Sequence, residues 1–347
     1  MGRFTLVLSL LIAVAIPSLA QRRDPFDGQI PGQETWFSTF SIIAYDPDTK
    51  EFGVGVQSRA FGAGAAVPWA EAGVGAVATQ AATNRTYGPK AMTLLKQGLS
   101  PAEVIKKITD DDPDRDRRQV AVIDTKGRMA AFTGKYVIDR DLDPKDHVHF
   151  GDFAGSIQGK NYSVQGNTLA SQEVLKAMAA AYESTKGDMA ERLLAALDGG
   201  QSKGGDSRGM QSGGILVVKA PADPNTQVDR EVEIRVDDSE NPFKELHRIL
   251  NVRKSGTHSV KATALAKEGK LGEAIAEQKI ALEMNSANEQ LNYGLAVLYA
   301  QANEVVNSMN VLALAIKKQP RLRADAFEDP SFAKMKDMPE FKRLLGQ

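Results

Sequence analysis

Cysteine is absent from the 347 residues. That absence excludes a disulfide framework, a thiolate metal site and a cysteine nucleophile together. A strong charge of either sign is missing too. The formal net charge is −1, so no overall basic field draws the chain to nucleic acid or to an anionic membrane. Long apolar runs are nearly missing. The one at Leu6–Ile16 is shorter than the ~20 residues that span a bilayer, and nothing else comes as close. An exported chain without disulfides must rely on core burial, which a domain of about 200 residues can supply.

What is present reads as an ordinary globular protein, 42% hydrophobic and 25% charged, with room for about two domains. Arg3, the apolar run and the small residues Ser18-Leu19-Ala20 compose a secretory signal peptide over 1–20, with Gln21 as the expected mature start. The expected location is therefore secreted or periplasmic. Residues 21–38 are polar, rich in Pro and Gly and unpatterned, as a leader or linker would be.

Between 39 and 236 the pattern alternates between strands and helices. Thr39–Asp46, Phe52–Arg59 and Gly73–Gln80 read as strands, with a Pro47–Lys50 turn between the first two. Helices follow over Gly88–Gln97 and after Ser100-Pro101, where Glu103 is placed for a capping box. Strands at Gln119–Asp124, Met129–Thr133 and Tyr162–Gln165 come next. Helices at Leu169–Ser184 and Met189–Leu197, then strands at Gly213–Lys219 and Val228–Val236, complete the domain. The order predicts two packed sheets with helices on both outer faces; the apolar runs Val74–Ala78 and Ile215–Val218 fit strands buried on both sides. From 237 to 347 the chain turns helical, with a loose recurrence from Ala281-Leu282 to Ala315-Ile316 that matches the 34-residue tetratricopeptide period. About two repeats are too few to stand alone, so this tail is expected to dock on the first domain or on a protein partner.

A run of ordered matches identifies 39–218 as similar to the family called domain of unknown function 1028. They include Thr39-Phe-Ser-Ile42, Val67–Gln80, Tyr87-Gly-Pro89, Arg118-Gln119, Gln165-Gly-Asn167, Gly205-Asp206 and Gln211-Ser212. The resemblance implies an α+β fold, a four-layer αββα sandwich of the N-terminal-nucleophile (Ntn) hydrolase kind, followed by the small all-α helical-repeat domain. In that chemistry a hydroxyl or thiol opening the first strand attacks an amide, with its own α-amino group as base.

The wider resemblance, to proteasome β-subunits, places Thr39 as the nucleophile. Gln57 of Gln57-Ser58-Arg59 stands where that family has an aspartate, and Gly64–Val67 lacks its lysine. Gln165-Gly166-Asn167 resembles the turn before the long helix. Arg208–Gly214 resembles its late Arg-Asp-x-x-Ser-Gly-Gly, with Ser212 retained and Asp206 as a substitute carboxylate. Asn167, Gln80 and the backbone around Gly75 are the candidates for an oxyanion site. The expected catalytic set is Thr39, Gln57, Gln80, Asn167, Asp206 and Ser212, with no cofactor and no metal. The expected ligand is a small-molecule amide or peptide. The alternative is a catalytically silent binding module for a small polar ligand, with a protein-docking tail.

Other signals are weaker. Gly205–Gly209 spells a nucleophile elbow but lacks the strand before and the helix after. Asp110–Arg118 alternates carboxylates like a calcium loop, yet interleaved arginines and the missing glycine favour a solvated turn. His147 and His149 have no third ligand at a zinc spacing. Trp69 reads as a core or rim aromatic.

Overall fold

The computed structural model describes residues 36–144, 153–220 and 229–347; residues 1–20, where a signal peptide is expected, and His147 and His149 lie outside them. The strands are β1 (Trp36–Phe37), β2 (Thr39–Asp46), β3 (Glu51–Ser58), β4 (Pro68–Glu71), β5 (Gly75–Ala82), β6 (Arg118–Asp124), β7 (Met129–Thr133), β8 (Phe153–Gly159), β9 (Tyr162–Leu169), β10 (Ser212–Val218) and β11 (Arg230–Val236). The helices are α1 (Ala63–Ala66), α2 (Tyr87–Lys96), α3 (Pro101–Asp110), α4 (Lys135–Ile138), α5 (Glu173–Ser184) and α6 (Met189–Gln201). In the tail they are α7 (Pro242–Lys267), α8 (Leu271–Met284), α9 (Glu289–Gln301), α10 (Val305–Lys318), α11 (Leu322–Glu328) and α12 (Pro339–Leu345).

Among the described residues the strands form two antiparallel sheets. One runs β1-β5-β6-β7, with β4 also on β5; the other runs β11-β10-β3-β2-β9-β8. Alternation along β2 explains the layering. Phe40, Ile42 and Ala44 point toward α5 and α6 and pack with Met178, Leu193 and Leu197. Ile43 and Tyr45 point the other way, to Val54, Ala78 and Ile123 between the sheets. On the far side of the first sheet, Val77, Val120 and Val122 meet α2 and α3 through Tyr87, Ala91 and Ile108. Ser100 and Glu103 form the expected capping box at α3.

Several boundaries differ from expectation. β8 and β4 were not foreseen, β9 runs on to Leu169, and α5 starts only at Glu173. The polar residues Gln165 and Asn167 interrupt the apolar pattern of β9, but they are buried between the sheets and hydrogen-bonded there. In Asp110–Arg118, Asp112 and Arg118 are buried and ion-paired at 3.0 Å, so only part of that turn is solvated.

The tail is tied to the first domain by one continuous helix. At the start of the 26-residue α7, Phe243, Leu246 and Leu250 enter the core beside α6 and β10. At its end, Ala262 packs with Ile275, Leu295 and Tyr299 of α8 and α9. No helix among the described residues is long and apolar enough to cross a membrane.

Candidate functional site

The space between the sheets is apolar at one end and polar at the other. Along β5, Ala76 and Ala78 join the apolar cluster while Gln80 does not; along β6 the same holds for Ala121 and Ile123 against Gln119. Burying so many amides and hydroxyls is unfavourable unless each is paired. Here they pair with one another. Ser41 Oγ donates to Gln80 Oε1 and accepts from Gln165 Nε2, both at 2.7 Å. Gln80 Nε2 donates to Gln119 Oε1 at 2.7 Å, and Asn167 Nδ2 donates to the same oxygen at 3.0 Å. Gln119 Nε2 in turn reaches the Gly166 carbonyl at 2.9 Å.

Thr39 lies at the edge of this network, where the chain leaves one sheet and enters the other. β1 pairs with β5, through Phe37 opposite Ala81, and two residues later Thr39 opens β2 in the second sheet. The β2–β3 register places Thr39 opposite Ser58, and the β3–β10 register places Ser58 opposite Ser212. The result is a row of three hydroxyl residues across neighbouring strands. Thr39 Oγ1 donates to Ser58 Oγ at 3.0 Å, and Ser58 Oγ donates to the Ser38 carbonyl at 2.8 Å. That carbonyl, which belongs to the peptide bond before Thr39, also accepts from Arg208 Nη2 at 3.1 Å. Ser38, Thr39 and Ser58 are all fully buried.

Arg208 is held in turn by Asp206, which pairs with its guanidinium at 2.9 Å and accepts the Arg59 backbone N–H at 3.0 Å. Burial pushes the Asp206 carboxyl up, and Arg208 and the two backbone N–H groups offset part of that rise. A second buried cluster stands behind the end of β5. Asp112 takes hydrogen bonds from Arg118, Asn84 and Tyr87, and Arg118 Nη1 donates to the Ala82 carbonyl at 2.5 Å. Burial works against the Asp112 charge, but these donors win and hold its pKa at about 2. Two non-glycine residues near Thr39 sit in the left-handed region, Ala81 at φ 65 and Thr168 at φ 57. For a β-branched residue such as Thr168 that conformation is strained, and such strain tends to gather at functional sites.

The expected site residues therefore divide. Thr39, Gln80 and Asn167 belong to one hydrogen-bonded network, since Gln80 Nε2 also reaches the Thr39 carbonyl at 3.4 Å. Asp206 enters through Arg208. Ser212 shares the hydroxyl row, but its Oγ is engaged by the Ala60 carbonyl and the Ala63 N–H. Gln57 faces the opposite side of β3 from Ser58, as alternation requires, and its Nε2 reaches the Gly209 carbonyl at 3.5 Å. Gly75 does not reach the site: it pairs with Asp124 at the far end of β5, roughly 17 Å along the strand from Gln80. A Cβ there would meet the Ile123 carbonyl at 2.5 Å, which accounts for the glycine.

Ser38, Ser58, Gln119, Thr168 and Arg208 were not singled out as site residues. Ser58 was within reach of counting, because eight residues on each side of the turn put it opposite Thr39. Arg208 was not, being 170 positions from the carbonyl it touches. Among the described residues no cluster of His, Asp and Glu could hold a metal ion.

No curated protein matches the chain. The crystal structure of protein SPO2555 from Silicibacter pomeroyi, described with the family DUF1028, is similar to it with a TM-score of 0.52 and 28% identity. The likeness covers 61% of this chain and 87% of that one. The family described as "Family of unknown function (DUF1028)" matches residues 39–246, which takes in every strand from β2 onward and the first turn of α7. The chain belongs to this family of unknown function, DUF1028.

Proposed function

We propose that the protein is an exported Ntn-type amidohydrolase on an αββα sandwich, with Thr39 as nucleophile once the bond between Ser38 and Thr39 has been cut. One observation carries this reading: the Ser38 carbonyl accepts from both Ser58 Oγ and Arg208 Nη2, while Thr39 Oγ1 donates to Ser58. Donors aimed at a carbonyl oxygen lower the barrier to attack on its carbon. Arg208 is half-buried, and its Nη2 reaches past Asp206 to this backbone carbonyl.

The chemistry follows from these contacts. Thr39 Oγ bonds to the Ser38 carbonyl carbon, and the carbonyl electron pair moves onto the oxygen facing Arg208 and Ser58. The Thr39 hydroxyl proton goes to the amide nitrogen, the C–N bond breaks, and an ester joins Ser38 to Thr39 Oγ. Water hydrolyses the ester, leaving a Ser38 carboxylate and a Thr39 with a free amine. An α-amine titrates near 7.7–8.0, so it serves as base without the lysine that Gly64–Val67 lacks. The positive charge at the site comes from Arg208 instead.

Full burial of Ser38, Thr39 and Ser58 fits an uncut precursor, and it is also what favours the second reading, a silent binding module whose tail docks a protein partner. The mass of the purified protein decides between them. Processing gives a chain that starts at Thr39, and Thr39→Ala abolishes both the cut and amide hydrolysis. A wild-type chain that always starts at Gln21, with Thr39→Ala changing nothing, leaves only the binding module.

A further inference from the structure

β5 has two edges, and they are occupied differently. One pairs with β6 from Gly75 to Ala81. The other is shared in tandem: β4 covers Gly75 to Ala78, and β1 covers Ala81 and Ala82. β1 is joined directly to the bond that the proposed cut would break. Once that bond is cut and the leader departs, the Ala81–Ala82 edge loses its partner beside the new amine.

That edge is rigid. Arg118 holds the Ala82 carbonyl, Asp112 holds Arg118, and Ala81 is fixed at a positive φ. An unpaired strand edge is a template for an incoming extended chain. A chain that pairs as β1 does, antiparallel to β5, presents its next carbonyl where Ser38 now lies, between Arg208 and Ser58. The position of Ser38 is also defined. Its side chain is fully buried, and its Oγ accepts from Thr168 Oγ1 at 2.9 Å. Thr168 in turn contacts Asn167 Oδ1 at 3.3 Å.

From this we infer that the processed protein acts on extended peptides, with the acyl side of the cut bond paired to β5 and a small residue, serine above all, in the Thr168 slot. The inference rests on the reading of Thr39 as nucleophile and narrows its substrate. A compact amide, such as a free glutamine side chain, has no backbone to lay along Ala81–Ala82.

The test uses the chain starting at Thr39, released from a fusion tag cut immediately before it. Its substrates are acetyl-Trp-Phe-Ser-anilide, the Ala and Leu counterparts, and free glutamine. The Ser peptide is expected to be hydrolysed about fivefold better in kcat/KM than the Ala peptide, the worth of one hydrogen bond. The Leu peptide is expected to be slower by roughly 50-fold, because the slot has no room for it. Thr168→Val should bring the Ser-to-Ala ratio of kcat/KM down to about one, whereas a merely structural Thr168 would slow both peptides alike and keep the ratio. A Leu peptide cleaved as well as the Ser peptide, or hydrolysis of glutamine alone, overturns this inference and leaves the hydrolase reading intact. Calorimetric titration of the same chain carrying Thr39→Ala with acetyl-Trp-Phe-Ser separates the remaining cases. Peptide binding without hydrolysis by the Thr39 chain refutes the hydrolase and retains the strand site; neither binding nor hydrolysis refutes both.

Discussion

Ser58→Ala tests the proposed chemistry at its most exposed link. Ser58 Oγ does two things: it accepts a hydrogen bond from the Thr39 hydroxyl at 3.0 Å and donates one to the Ser38 carbonyl at 2.8 Å. Alanine removes both while changing almost no volume. For stability, the cost is one buried hydroxyl left without its acceptor, about 1–3 kcal/mol; the Ser38 carbonyl keeps Arg208. For the cut, the cost is one donor to a developing oxyanion, roughly 10²–10³ in rate or about 3–4 kcal/mol. The rate effect therefore exceeds the stability effect, and a domain stable by about 5–15 kcal/mol stays folded through it. The assay is intact mass against time, with a thermal melt of the same samples. Ser58→Ala should keep a cooperative melt and accumulate uncut chain, whereas Ser58→Thr, which retains the hydroxyl, should restore the cut. A Ser58→Ala protein processed at the wild-type rate would refute the role assigned to this hydroxyl.

Three further outcomes are expected. The Asp112 pKa, held at about 2 in the fold, makes that carboxylate stabilising above its ordinary value near 3.9, and the contribution is lost as pH falls through 2. Denaturant titrations from pH 5 to pH 2 should show roughly 2 kcal/mol of this loss in wild type and not in Asp112→Asn; equal acid limbs would contradict it. Residues 241–347 expressed alone lose the core that receives Phe243, Leu246 and Leu250, so they should melt without a sharp transition. A sharp, reversible melt would show an independent tail. Fractionated cells should hold the protein outside the cytoplasm without its first twenty residues, and recovery of chain starting at Met1 in the membrane pellet would contradict export.

Local chemistry was legible where it acts locally. The capping box of Ser100 and Glu103, the alternation of Thr39–Asp46 and the apolar run Ile215–Val218 each depend on neighbours a few residues away, and each element formed where its pattern lies. The end of β9 was misread for the opposite reason. Gln165 and Asn167 look like the polar close of a strand, and only their partners Ser41 and Gln119, on other strands, keep them inside it. The same limit separated the site residues: a motif comparison drew attention to Gln57, whereas pairing with Thr39 selects Ser58, one position on and on the other face.

By itself the sequence determined the longer strands and helices of a mixed first part, the change to a helical C-terminal region, a threonine opening the first long strand and the absence of thiol chemistry. Those features follow from composition and from periods of 2 and 3.6 residues, which neighbours along the chain enforce. Tertiary structure alone decided that Arg208 and Ser58 meet the Ser38 carbonyl, that a buried amide network fills one end of the space between the sheets, and that β1 borrows an edge of β5. These contacts join residues far apart in sequence. Strand register and the stacking of two sheets set them, and no local period encodes either.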